Sequence, residues 1–166
     1  MRILLLSILL TISFSVFSQD SKEFFKQAQT KYNAGDYKAA IELYTKAIKA
    51  DPENLDAVLQ RGFAYGLIED YKAAIADYTT VINKNNDHIW AYISRGSAYN
   101  KTKDYNKAIN DFNKVIQLDP KNTEAYNNRG WAKKFLGNKK GACADWKKSK
   151  KLGNKEAKII LKNNHC

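Results

Sequence analysis

Proline is nearly absent from this chain of 166 residues: there are two, Pro52 and Pro120, and each follows an aspartate. Proline lacks an amide donor and disfavours helix in the residue before it, so helices are expected to stop near Ala50 and Leu118. Histidine is as scarce. His88 and His165 lie in different parts of the chain, and neither opens a metal-ligand spacing with the two cysteines, so no metal site and no cofactor is expected. None of the eight glycines sits in a phosphate-cradling loop. The acidic residues occur singly at turns or opposite arginines, and no catalytic constellation can be assembled from them. No Gly/Ser-rich or proline-rich linker and no low-complexity segment is present, which leaves no tether to a second domain.

What the chain does contain is a period of thirty-four residues. Asp36, Asp70, Asp104 and Asn138 recur at that interval, each with alanine four residues later at Ala40, Ala74, Ala108 and Ala142. In the same register stand Tyr37, Tyr71 and Tyr105, then Tyr44, Tyr78, Phe112 and Trp146. Gly62, Gly96 and Gly130 each follow an arginine. Within a unit the apolar residues fall at three- and four-residue spacings, as in Ala40, Ile41, Tyr44, Ala47 and Ile48, which is the signature of helix. Each unit therefore reads as two helices. Gly35-Asp36, Glu69-Asp70, Lys103-Asp104 and Gly137-Asn138 mark the inner turns, where glycine tolerates positive φ and Asp or Asn caps the next helix.

A thirty-four-residue helix-turn-helix unit with small residues where helices meet resembles the tetratricopeptide repeat, over roughly Ser21 to Leu152. The third unit carries the pattern most fully, as Gly96, Tyr99, Ala108, Phe112, Val115 and Pro120. The resemblance implies an all-α fold: a right-handed α-α superhelix, or solenoid, of four helix-turn-helix repeats at 21–54, 55–88, 89–122 and 123–152, followed by a capping helix and tail at 153–166. The fourth repeat is degenerate, with Lys133, Lys139 and Ser149 at usually apolar or small positions, as suits a terminal unit with one repeat neighbour. In 153–166, Ala157, Ile159, Ile160 and Leu161 give the final helix an apolar face to close the stack.

Residues 1–18 differ in kind. Arg2 precedes an apolar and hydroxyl stretch from Ile3 to Phe17, and polar Gln19 and Asp20 follow. This reads as a secretory signal peptide with a small residue, Ser18, at the cleavage point. An uncleaved anchor is the rival reading, for which about fifteen residues are short. Export to a periplasm or the extracellular space is expected, with no transmembrane span left after cleavage. Such a compartment is oxidising, so Cys143 and Cys166 are candidates for a disulfide, Cys143 alternatively serving as a small buried hydrophobe.

The net charge of +11 is localised. From Gln19 to Pro120 there are 14 basic and 14 acidic residues, whereas from Lys121 onward there are 13 basic residues against Glu124, Asp145 and Glu156. Lys139, Lys140, Lys147, Lys148, Lys150, Lys151, Lys155, Lys158 and Lys162 make a basic patch that either solvates the end of the stack or attracts an acidic partner or anionic envelope surface. Nucleic acid is disfavoured, because no exposed aromatics are interleaved with the lysines. A second correlation pairs Arg61 with Asp77, Arg95 with Asp111 and Arg129 with Asp145, always sixteen residues apart. The first unit has Gln27 and Leu43 instead, losing both members together, so the pair is expected inside a unit as a structural ion pair that specifies register.

The architecture implies a binding function, with first helices lining a concave groove for a peptide or helix of a partner protein. The groove phase holds Phe25, Gln29 and Tyr32, then Leu59 and Phe63, then Trp90, Ile93 and Ser97, then Asn127 and Trp131. Phe25, Leu59 and Ile93 share one phase and are expected to form an apolar stripe, of which part packs on neighbouring helices. Some family members clamp a partner's C-terminal carboxylate with lysine, asparagine and arginine. The matching phases here carry Phe25, Gln29, Gln60, Trp90 and Ser94, none of them cationic. The chain thus reads as a non-catalytic adaptor, with a structural spacer docked through its basic end, or self-association, as the alternatives. Intact-mass analysis of the secreted product is expected to find a chain that begins at Gln19; a product retaining Met1 would contradict the cleavage reading.

Overall fold

The computed structural model describes residues 20–166; the expected signal peptide at 1–18 lies outside the described residues. The described chain consists of helices and turns: α1 (20–33), α2 (Tyr37–Ala50), α3 (Leu55–Leu67), α4 (Tyr71–Lys84), α5 (Ile89–Lys101), α6 (Tyr105–Leu118), α7 (Thr123–Phe135), α8 (Lys139–Lys151) and α9 (Glu156–Asn163). It divides into two compact units, one ending at Asp77 and the other running Tyr78–Cys166, with the boundary inside α4.

Helix starts follow from side chains that satisfy free amides. Asn54 and Asn122 accept the amide hydrogens of Ala57 at 3.0 Å and Ala125 at 2.9 Å. His88 stands at the same phase and does the same work through Nδ1, 3.2 Å from the Ala91 nitrogen. Asp36, Asp70 and Asn138 cap α2, α4 and α8 in this way. Each such bond is worth about 1 kcal/mol against alanine. Asp104 departs from the expected pattern: it makes no side-chain cap bond and instead accepts from Lys107 Nζ at 3.4 Å.

The inner turns all pass through the left-handed region, with φ of 79° at Gly35, 62° at Glu69, 65° at Lys103 and 81° at Gly137. Glycine reaches that region freely, whereas a side chain there costs roughly 1 kcal/mol or more. The turn geometry is thus imposed on Glu69 and Lys103 by the helices they join.

In the first unit, Ala28, Ala40, Tyr44, Ala47 and Ala57 form a buried cluster, and the Phe25 ring lies 5.6 Å from that of Tyr44. The Tyr44 hydroxyl is buried with no hydrogen-bond partner, and burial pushes its phenol up to about 12. In the second unit, Ile93, Ala108, Phe112, Val115, Ala125 and Ala132 form the core. Two helical glycines let rings press on the backbone. A Cβ at Gly96 would lie 2.9 Å from the Phe112 ring, and one at Gly130 would lie 2.7 Å from Trp146 Cδ1.

Ser149 is fully buried and donates to the Thr123 carbonyl at 2.8 Å, so it is a partnered interior residue and not a sign of repeat decay. Beyond α8, Gly153 (φ 109°) turns the chain into α9, whose Ala157 is buried. Lys103→Gly is expected to stabilise the fold by about 1 kcal/mol through relief of the left-handed side chain, and Gly130→Ala to destabilise it by about 2 kcal/mol through overpacking. Urea unfolding midpoints check both; equal midpoints for the two variants would refute the assignment.

Candidate functional site

The residues of the expected groove separate into three kinds. In the first unit Gln29 is exposed, while Phe25, Tyr32 and Phe63 are half-buried. Tyr32 meets the Tyr37 ring edge-on at 5.4 Å, and burial together with Tyr37 raises its phenol above the ordinary value. In the second unit Trp90 is 61% exposed, and Ser97, Asn127 and Trp131 are half-buried. Asn128 Nδ2 lies 3.5 Å from Ser97 Oγ, and the Asn127 carbonyl accepts from the Trp146 indole at 3.2 Å.

Leu59 and Ile93 are the part of the expected apolar stripe that lies in the interior. They are only 8% and 3% exposed. Ile93 belongs to the core cluster with Ala108 and Phe112. Spacing along a helix places apolar residues on one face, but whether that face meets solvent or another helix depends on the packing. Aspartate at either position would break the interior and would not report on a ligand.

An open apolar surface of the second unit lies on α7 around Phe135. That ring is 57% exposed, stacks on Tyr105 at 5.1 Å with 17° between planes, and lies 6.1 Å from Trp131 one helical turn back. Trp131 in turn meets buried Trp146 edge-on at 5.1 Å, and Lys134 Nζ sits 4.9 Å over it. Four aromatic rings therefore run from the core to the surface of α7. Phe135 was not among the groove residues expected from sequence, although its position four residues after Trp131 carried the signal. Between α5 and α7, Asn100 Nδ2 donates to the Asn128 carbonyl at 3.1 Å. The Oδ1 atoms of Asn100 and Asn127 are buried with no hydrogen-bond partner.

The three arginines are bound inside their own units. Each guanidinium donates two hydrogen bonds to one carboxylate: Arg61 to Asp77 and Arg95 to Asp111 at 2.8 and 2.9 Å, and Arg129 to Asp145 at 2.6 and 2.9 Å. The remaining terminal nitrogen reaches back sixteen residues, to Thr45 from Arg61, Thr79 from Arg95 and Asn113 from Arg129. One arginine thus bonds its own helix pair and the pair before it. Sequence reading missed those acceptors, although they too recur at thirty-four residues. The Asp111 hydrogen bonds hold Arg95 above its ordinary value, while burial raises the Asp111 carboxyl against the pull of Arg95. A pair with 15% and 6% of its side chains exposed gives up the hydration of both charges, so it specifies a geometry more than it adds net stability. Asp145 differs by having a second cation, Lys133 Nζ at 2.8 Å. Lys133 is therefore a partner in the seam and not merely a lapse of the repeat.

At the C-terminal end, Cys143 on α8 and Cys166 are joined by a disulfide, with 5.5 Å between their Cα atoms. The nine lysines of the basic patch are all exposed. Removing the arginine of a buried pair strands a charge and costs about 3 kcal/mol or more. Arg95→Met is expected to do so, and Arg129→Met to cost clearly less because Lys133 remains on Asp145. Thermal unfolding of the two variants and of Arg129→Met/Lys133→Met ranks them, and equal losses for Arg95→Met and Arg129→Met would rule out the compensation.

With this geometry in view, residues 28–68 match a TPR repeat model and residues 89–122 the tetratricopeptide repeat model. No curated protein matches the chain. Among solved structures it is similar to that of MamA, with 27% identity over 84% of this chain and 81% of that one, at a TM-score of 0.78. It is also similar to the first TPR of Spaghetti (RPAP3) bound to HSP90 peptide SRMEEVD, with 28% identity over 72% of this chain and 95% of that one, at a TM-score of 0.69. YrrB, a TPR protein with an unusual peptide-binding site, shares the fold at a TM-score of 0.80, with 19% identity over 86% of this chain and 74% of that one. Residues 28–68 and 89–122 thus match tetratricopeptide-repeat models, and the described chain shares its helical-repeat fold with solved TPR structures.

Proposed function

We propose that the protein is an exported, non-catalytic adaptor that binds an apolar peptide or helix of a partner protein on the α7 face of its second unit. The observation that carries this reading is the row Tyr105–Phe135–Trp131, whose middle ring, Phe135, is left 57% open to solvent. Aromatic side chains of that kind bury large area at low entropic cost and are the usual anchors of an interface. Their backing by Trp146, which is 1% exposed, holds them in place before a ligand arrives, so little ordering is needed on binding.

The similarity to a TPR domain with a bound peptide supports a peptide as the class of ligand. The peptide's character differs, because Phe25, Gln29, Gln60, Trp90 and Ser94 place no cation at the phases of the family's carboxylate clamp. Recognition by apolar anchors then replaces recognition of an acidic chain end. The exposed Lys134 ammonium, over the Trp131 ring, supplies a polar group beside the rings for a peptide backbone. Export is supported by Arg2 with the apolar run that follows it, and by a disulfide between Cys143 and Cys166, which persists in oxidising compartments.

A photo-activated cross-linker placed at Phe135, with exposed Lys38 as the control position, tests the assignment in the cell envelope. One partner is expected to be captured from position 135 and not from position 38. The affinity of its identified segment is expected to fall roughly thirtyfold in Trp131→Ala. Capture that is the same from both positions, or an affinity unchanged in Trp131→Ala, would remove the α7 face as the binding site.

A further inference from the structure

Beyond Pro120 the chain has thirteen basic and three acidic residues, and Asp145 is already engaged by Arg129 and Lys133. Glu124 and Glu156 alone are left to balance nine exposed lysines between Lys139 and Lys162. The short helix α9 organises part of that charge. It buries Ala157 and half-buries Ile160 and Leu161, and the opposite side of its wheel carries Lys155, Lys158, Ile159 and Lys162, all exposed. Ile159 is 63% exposed, the highest value among the exposed large hydrophobic residues of the described chain. An isoleucine is therefore held outward with lysines four and one residues before it and three after it. Its neighbours on the inner side of α9 show that the helix has apolar residues enough to pack without it.

The chemistry of the cations narrows the partner. All nine are lysines. Arginine presents a rigid fork suited to a fixed carboxylate, whereas lysine is a hydrated point charge on a flexible stem. Such stems lie along apolar surface and extend their ammonium to a polar boundary. Three lysines around one outward isoleucine match a layer of mobile phosphates over hydrocarbon better than they match the ordered carboxylates of a folded protein. The helix is also fixed in place, because Cys166 at the chain end is bonded to Cys143 on α8 and Asn154 caps the start of α9 through the amides of Glu156 and Ala157. Lys147, Lys150 and Lys151 on the preceding helix α8 are exposed as well. We propose that this outer face of α9, together with the α8 lysines, docks on an anionic lipid bilayer, with Ile159 entering the headgroup boundary and the lysines on lipid phosphates. This surface is distinct from the aromatic row on α7, so the protein would hold a peptide with one face while resting on a membrane with another.

Cosedimentation of the protein, isolated as the cell processes it, with vesicles tests the proposal. One set contains phosphatidylcholine alone and the other contains one part phosphatidylglycerol to two parts phosphatidylcholine. Stronger binding to the anionic set, weakening as salt is raised, is expected. The triple variant Lys155→Gln/Lys158→Gln/Lys162→Gln is expected to lose on the order of a hundredfold in partitioning to that set. Ile159→Ser is expected to lose roughly fivefold. All four side chains face solvent, so circular dichroism and the unfolding temperature should stay at wild-type values and separate lost docking from lost folding. Equal binding to both vesicle sets, or a triple variant that binds like wild type, overturns the proposal. So does retention on immobilised polyglutamate without sedimentation on anionic vesicles, which would make the partner an acidic protein.

Discussion

The second unit depends on a close approach between helices that only glycine permits. Arg95-Gly96 on α5 faces Asp111-Phe112 on α6, and Arg129-Gly130 on α7 faces Asp145-Trp146 on α8. In each case the ring occupies the space of the missing Cβ while the adjacent carboxylate receives two hydrogen bonds from the guanidinium. The apolar contact supplies the driving force. The ion pair, whose two charges are largely buried, contributes chiefly the register in which that contact is made. Because the same arginine also donates to Thr79 or Asn113 one helix pair earlier, a single side chain aligns successive pairs.

This seam explains how the exposed aromatic row can exist. Phe135 and Trp131 would be a liability on a loosely held helix, since open rings invite non-specific association. On α7 they rest on Trp146, which Gly130 admits to the backbone and whose indole donates to the Asn127 carbonyl. The device that closes the fourth helix pair also stiffens the surface proposed to bind. Lys133 adds to it by sharing Asp145 with Arg129. A lysine that departs from the repeat pattern thereby strengthens the one seam that backs the aromatic row.

Much of this is legible in the amino-acid sequence. The helix pairs, the inner turns and the sixteen-residue separation of arginine from aspartate follow from a period that each unit repeats. Even the cap at His88 lies in the period, thirty-four residues after Asn54 and thirty-four before Asn122, although a lone histidine does not advertise that role. Leu59 and Ile93 show the limit. Their shared phase marks them as apolar and equivalent, but periodicity reports a face of a helix and not what lies against it. Ser149 shows the same limit from the polar side, since its partner is a backbone carbonyl that leaves no mark in sequence.

The sequence by itself determined the repeat, its helices, its ion-paired seam and the concentration of charge beyond Pro120, because each of these is a local pattern that recurs or a simple count. Only the tertiary structure decided which apolar residues are interior and which are open, and that Phe135 and Ile159 stand outward while Leu59 and Ile93 do not. It also decided that Lys133 serves Asp145 and that Cys166 reaches Cys143 across α9. The physical reason is common to all of these. Exposure and pairing are set by atoms distant in the chain, and a residue's own neighbours in sequence do not specify which distant atoms it will meet.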